Sequence, residues 1–498
     1  MKRYLLAAIA ALALAGAYVA ASPSAQAKNT ATPSPSPSPS ALPTASPEPP
    51  DVAIPRLEAR LKANPNDQEA LGELASQFLA INRPDLALAL TQHLLQLGAR
   101  TYQTYALDGY AQQQLGNTNA AIGDFEQAST LDPTNLSVLS QLAELYLRTN
   151  RPQDAERVAK RAVTFNKTEP RAYIALGAVY AAEQHYDDAR AQYELAYQQD
   201  PKSTDALFQI ATTYAVQNNI PMALTTIQRA LAIDPKSVDA LVFKADLYAK
   251  QNDDAKTSAA YDDAVVAASS DDQKVAILMR KAGYFVDQKK YSQADAIFQQ
   301  TIAQYPRSAA ALVAYGDFQA LQRNLGKAET EWQAALAIDK DNPQALARMG
   351  QLSMQQSRYT DAIGYLKHLT QVAPDAQAFA LLGQAYSYVH DYQSSRDACS
   401  KSFQIQRSPG TLGCIGGADY ELKNYKEAAA IFDVIDRAAK GFLDSNPQLL
   451  YIAAKSYEHN NQRSKALAAY KRLLPLTQKG SKDYNQIQAE ISSLSKGS

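Results

Sequence analysis

An all-α solenoid of stacked helix–turn–helix units is the fold this sequence predicts, and three ladders of residues predict it. Alanines stand 34 residues apart at Ala87, Ala121, Ala155, Ala189 and Ala223. A second alanine ladder keeps the interval at Ala128, Ala162, Ala196, Ala230 and Ala264, and a tyrosine ladder runs through Tyr146, Tyr180, Tyr214 and Tyr248. A fixed period of this length marks a unit that cannot bury its apolar face alone and must stack on its neighbours. Length by itself suggests about three domains, but a solenoid grows by addition, so the period overrides that expectation.

Taken in order, residues 1–27 read as a signal peptide: Lys2 and Arg3, an apolar alanine-rich run from Leu5 to Val19, then the small-x-small site Ala25-Gln26-Ala27. The alternative is an uncleaved inner-membrane anchor through residues 4–21, although its apolar run is short for a span. The leader resembles those of exported bacterial proteins, so a periplasmic or secreted location is expected; no cysteine near it offers a lipid anchor. Residues 28–50 read as a disordered Pro/Ser-rich linker, with prolines at 33, 35, 37 and 39 separated by serines. Such a run is a solvated spacer of polyproline character, able to reach roughly 60–70 Å at about 3.1 Å per residue. An N-terminal capping helix is expected within 51–65, the repeat array over 66–475, and a C-terminal capping helix and tail over 476–498. End caps need a polar outer face because nothing stacks on them.

Within one unit, Tyr173, Leu176, Gly177 and Tyr180 lie three or four residues apart, on one face of a helix. Ala189, Tyr193 and Ala196 repeat that spacing on a second helix. The polar stretch 183–188 separates the two, and Asp200-Pro201 ends the second, since proline lacks the amide donor and disfavours helix before it. The next unit repeats the plan with Leu207, Ile210, Ala211, Tyr214, Ala223, Ile227, Ala230 and Pro235. This order of large–Leu–Gly/Ala–Tyr, Ala–aromatic–Ala and Pro resembles the tetratricopeptide repeat, and about twelve units can be counted, later ones keyed on Ala294/Phe298/Pro306, Ala328/Trp332/Ala335, Ala362/Leu366/Pro374, Ala428/Phe432 and Ala466/Tyr470. The resemblance implies a right-handed α-solenoid superhelix. Against that pattern Thr257 and Ser395 replace alanines, Lys167 and Lys340 replace prolines, and extra residues enter at 269–273 and 440–446, where bends are expected.

Chemistry is harder to find. Lys plus Arg is 49 and Asp plus Glu 50, a net charge of −1, which gives no general attraction to nucleic acid or acidic lipid. None of the five histidines, His93, His185, His368, His390 and His459, has a second histidine or a cysteine three or four residues away. The cluster Gly410, Gly413, Gly416 and Gly417 lacks the strand and the Gly-Lys-Ser/Thr ending of a phosphate loop; it falls on a first helix, which it weakens by about 1 kcal/mol per glycine, a candidate hinge. The pairs Asp187-Asp188, Asp253-Asp254, Asp262-Asp263 and Asp271-Asp272 point their carboxylates apart, and 253–272 has no calcium-loop spacing. No catalytic, cofactor-binding or metal-ligating constellation emerges, and repeats leave no room for a catalytic domain, so the chain reads as non-enzymatic. In the resembled fold, the helices carrying Cys399 and Cys414 pack together; an oxidising compartment would join them, and two buried free thiols are the alternative.

The resemblance also implies a binding groove lined by the first helices. Its outward positions map onto Tyr110, Gln113, Glu144, Arg148, Arg171, Phe208, Thr212, Asp246, Lys250, Asp317, Gln351, Gln355, Gln384, Tyr388, Tyr420, Tyr451 and Lys455. Tyrosine suits such surfaces, but many of the 29 tyrosines, the ladder from Tyr146 to Tyr248 among them, sit at core positions. The Lys/Asn clamp for a terminal carboxylate is replaced here by Ser76, Ala178, Thr212, Asp246, Gly283 and Asp317. The expected function is a protein-binding scaffold of the bacterial cell envelope, monomeric or weakly oligomeric, contacting membrane only through an uncleaved leader; the alternative is an accessory of polysaccharide export or of outer-membrane or secretion machinery.

Overall fold

The computed structural model describes residues 48–496; the leader and most of the linker lie outside them. Every regular element among the described residues is helical, and none of these helices is long and apolar enough to cross a membrane. Helix Pro50–Ala63 comes first. Twelve helix pairs follow, from Gln68–Ala80 with Pro84–Gln96 to Pro447–His459 with Arg463–Leu473, and helix Lys482–Ser495 closes the series. The chain divides into two compact units, one ending at Ile277 and the other beginning at Leu278.

The same local chemistry starts most first helices and stops all of them. Asp67, Thr101, Asn135, Ser308, Asn342 and Ser408 accept the backbone N–H three residues on, at 3.0–3.2 Å, satisfying a donor that the helix leaves open. Each first helix ends on a left-handed residue: Asn82, Asn150, Gln184, Asn218, Asn252, Lys289, Arg323, Ser357, His390, Lys423 and Asn461, with Gly116 in the remaining pair. The next amide then returns to the helix, as Arg151 N to Tyr146 O at 2.7 Å and His185 N to Tyr180 O at 2.8 Å, which satisfies a terminal carbonyl.

Packing within a pair rests on a notch and a filler sixteen residues apart. A methyl at Gly177 would lie 2.5 Å from Tyr193 Cε1, at Gly316 2.5 Å from Trp332 Nε1, and at Gly109 2.9 Å from the Phe125 ring. Where the notch residue is Ala143 or Ala211, the filler shrinks to Ala159 or Ile227. The alanine ladders line the crossing beside this contact: Ala87, Ala121, Ala155, Ala189 and Ala223 have no exposed surface. Thr257 and Ser395 occupy the alanine slot equally buried.

The tyrosine ladder departs from expectation. Tyr146 is buried, but Tyr180, Tyr214 and Tyr248 are only half-buried. The guanidinium of Arg151, just before a second helix, and the guanidinium of Arg190 and ammonium of Lys256, on second helices, cover the rings of Tyr146, Tyr214 and Tyr248 at 4.3, 4.5 and 5.5 Å. An amphipathic ring keeps its apolar body in the seam and its hydroxyl near water. The extra residues at 269–273 go into the 17-residue helix Asp271–Asp287, against 12 or 13 residues in the other first helices. Those at 440–446 form a turn through Gly441, φ +80°, anchored by the fully buried Leu443. The glycine cluster does not interrupt its helix, which runs from Pro409 to Glu421; Gly416 instead admits the Phe432 ring, which a methyl would approach to 3.1 Å. Cys399 and Cys414 are joined in a disulfide, Cα atoms 6.2 Å apart, tying a second helix to the next first helix.

Gly177→Ala should therefore cost about 1–3 kcal/mol by overpacking against Tyr193. Gly72→Ala, whose methyl meets nothing within 4 Å, should be neutral or gain up to about 1 kcal/mol; denaturant midpoints of the two variants would show opposite signs. Thiol labelling under denaturing conditions should find no reactive cysteine before reduction and two after it.

Candidate functional site

In the unit ending at Ile277, Glu144, Arg148 and Arg171 are exposed on the adjacent first helices Leu136–Arg148 and Pro170–Ala182. Lys250 is exposed as well. Other expected groove residues are committed to the fold. Tyr110 is only 9% exposed, edge-on to Phe125 with ring centres 5.0 Å apart, and burial pushes its hydroxyl up to about 12; it belongs to the core. Gln113 donates to Gln141 at 2.9 Å. Phe208 packs on Phe243 at 5.0 Å, Thr212 donates to the Phe208 carbonyl at 2.9 Å, and Asp246 accepts the Tyr261 hydroxyl at 2.6 Å.

The unit beginning at Leu278 makes the same division. Asp317 accepts Trp332 Nε1 at 3.2 Å and the Arg348 guanidinium through both oxygens at 2.8 and 2.9 Å, a bidentate pair that joins neighbouring first helices. Gln384 is 4% exposed and is also interior. Lys455 sits between Glu458 at 2.9 Å and Glu490 at 3.0 Å. Burial works against its charge, but those two carboxylates outweigh it and hold its pKa up to about 12. Glu490 belongs to the closing helix, so Lys455 is a seat for that cap rather than an open contact; Ile487 is buried beside it and Arg463 donates to the Leu494 carbonyl at 2.7 Å. Gln351, Tyr388, Tyr420 and Tyr451 are half-buried and Gln355 is exposed. Burial raises the Tyr420 hydroxyl to about 12, with the neighbouring Tyr451 and Glu421 adding to it.

The structure adds rings that the groove mapping missed. Tyr388 stacks on Tyr359 with centres 4.2 Å apart and planes 6° from parallel, and His459 stacks on Tyr425 at 4.5 Å. Tyr359 and Tyr425 open second helices, outside the mapped positions; an aromatic first residue after the turn is the signal that could have found them. Among the described residues, no group of histidine, cysteine, aspartate and glutamate could hold a metal ion. One carboxyl pair was also missed, Asp108 and Asp124, at the sixteen-residue notch spacing rather than in adjacent positions. Thr91 donates to Asp108, which is 4% exposed. Burial first, then the charge and hydrogen bond of Asp108, push the Asp124 carboxyl up to about 7.

Three family models match the chain: the tetratricopeptide repeat protein 21 C-terminal ARM domain over residues 57–236, the tetratricopeptide repeat over 208–272, and the cilia and flagella-associated protein 70 middle TPR-like domain over 278–406. No curated protein matches. Among solved structures, YrrB, described as a TPR protein with an unusual peptide-binding site, is 25% identical, covering 37% of this chain and 95% of its own, with a TM-score of 0.31. A tetratricopeptide repeat protein from Parabacteroides merdae is 18% identical over 47% of this chain and 92% of its own, at 0.39. The Cut9-Hcn1 assembly of the APC/C is 14% identical over 89% and 93%, at 0.33.

The raised Asp124 carboxyl makes stability pH-dependent. The folded chain holds this proton between about pH 4 and 7, where the unfolded chain has released it, so this contribution is full in acid and is lost as pH rises through about 7. Asp124→Asn, which keeps a donor for Asp108, should flatten that fall, read as denaturant midpoints at pH 5 and pH 8.

Proposed function

We propose that this chain, a tetratricopeptide repeat protein, is a non-enzymatic scaffold of the bacterial cell envelope that binds a segment of another protein along its first helices. One observation carries the reading: many expected groove residues are tied into the fold, whereas Glu144, Arg148 and Arg171 stay exposed on adjacent first helices. Both charge signs on rigid helices suit a peptide of mixed charge, and rim charges of this kind set specificity and on-rate more than affinity. Helix pairs occupy residues 68–473 almost without interruption, which supports binding rather than catalysis. The basic–apolar–small leader supports export, and the Cys399–Cys414 disulfide agrees with an oxidising compartment.

A photo-crosslinking side chain placed at Arg148 or Arg171 in living cells should capture a discrete partner band. The same group at Glu156, on the second helix Pro152–Phe165, should not. Equal capture from both faces would sink the groove reading. Charge reversal at Arg148 and Arg171 together should weaken capture about tenfold, more strongly at low salt.

A further inference from the structure

Within the unit that begins at Leu278, Cys399 and Cys414 join helices Tyr392–Ile405 and Pro409–Glu421 across the seam between two pairs. The first of these helices buries Ser395, Cys399 and Ser402, where the next second helix, Tyr425–Ala438, buries Ala428, Phe432 and Ile435. Cys399 fills the notch at Gly383, whereas Leu366 and Phe432 fill those at Gly350 and Gly416 in the pairs on either side. Glycine takes four of the thirteen positions of helix Pro409–Glu421, and it is a weak helix former. The buried apolar residues of the seam, Cys399, Cys414 and Ile415, form a small core of their own, with Phe403, Leu412 and Ile431 half-buried against it. A larger core from Leu346 to Ala398 lies before it and another from Ala428 to Ile487 after it.

The polar link across the same seam adds little. Arg396 Nε and Asn424 Nδ2 donate to one oxygen of Asp419 at 2.6 and 3.2 Å. Asp419 has no exposed surface, and its second oxygen has no hydrogen-bond partner. The desolvation penalty of a carboxylate so enclosed offsets most of the ion-pair attraction, and the unmet oxygen is a further cost. The noncovalent contacts are thus thin where the covalent one sits. A disulfide between residues 15 apart in sequence disfavours the open state by about a hundredfold, so the state of this bond decides whether the seam stays closed.

We propose that the Cys399–Cys414 disulfide is a redox switch for this seam: oxidised, it holds the seam closed and couples the two larger cores; reduced, the seam opens locally, centred on helix Pro409–Glu421, with both cores still folded. The reductant is a dithiol. Its thiolate attacks the sulfur of Cys414, the less enclosed of the two residues, and Cys399 leaves as a thiolate; the second sulfur of the dithiol then displaces Cys414, and each cysteine takes up a proton. Two electrons enter the pair, and the dithiol leaves as a disulfide. The switch is independent of partner capture at Glu144, Arg148 and Arg171 and is tested without it.

The test is hydrogen exchange read by mass spectrometry on the full chain, oxidised and after dithiothreitol, with free thiols counted in parallel. Reduction should speed exchange over 409–421 about a hundredfold and leave helices Leu325–Ile338 and Arg463–Leu473 at their oxidised rates. Reoxidation should restore the slow rates. Cys399→Ala combined with Cys414→Ala should exchange like the reduced chain, with or without dithiothreitol. Unchanged exchange over 409–421 once both thiols are free overturns the proposal, because the noncovalent contacts then suffice. Loss of protection in every helix of the unit also overturns it, because the bond then holds the whole fold rather than one seam. So does a bond that dithiothreitol reduces only under denaturing conditions.

Discussion

The architecture depends on one contact, a large side chain seated in the notch left by a residue with no side chain, or almost none, on the facing helix. Tyr193 over Gly177, Trp332 over Gly316 and Phe125 over Gly109 are three instances, each with the ring buried to within a few per cent. Burying such a ring stabilises by about 1.5–3 kcal/mol, but only if the helices come close, and the alanine ladders permit that approach. The notch is glycine or alanine throughout, while the filler varies from Ala159 and Ile227 to Tyr261, Phe298 and Tyr470 over the alanines Ala245, Ala282 and Ala454. A helix pair built this way still has an apolar flank, and the next pair covers it.

That contact explains why so much of the fold could be read from residues alone. Volume constraints at Ala189, Gly177 or Tyr193 leave a periodic trace, because every unit solves the same packing problem. The ladder of tyrosines misled because periodicity reports a recurring role without saying which role. Tyr214 and Tyr248 recur because a ring in that place can be capped by a cation from the second helix, not because the place is sealed. The Asp108–Asp124 pair left no trace, being a polar use of a spacing that elsewhere carries apolar contacts.

The binding face was less legible for a related reason. Position on a first helix predicts which way a side chain leaves the backbone, but not whether a neighbour claims it. Asp317 is claimed by Trp332 and Arg348, Lys455 by the closing helix, and Tyr110 and Gln384 by the interior. Glu144, Arg148 and Arg171 differ from these only in what the adjacent helices fail to supply. The stacked pairs show the converse: residues outside the mapped positions, Tyr359 and Tyr425, enlarge the surface because the next first helix brings a ring to meet them.

The left-handed residue that closes each first helix has a further consequence. Asparagine, glutamine, lysine, arginine, serine, histidine and glycine all fill this place, and the backbone hydrogen bonds around it involve no side chain. The turn is therefore indifferent to the identity of the two helices it joins within a pair. A period running from one such turn to the next could be lost or duplicated and the new turn would be chemically the same as the old. Array length is in this sense quantised: it can change in whole pairs without redesign, while the two terminal helices seal whatever number lies between them.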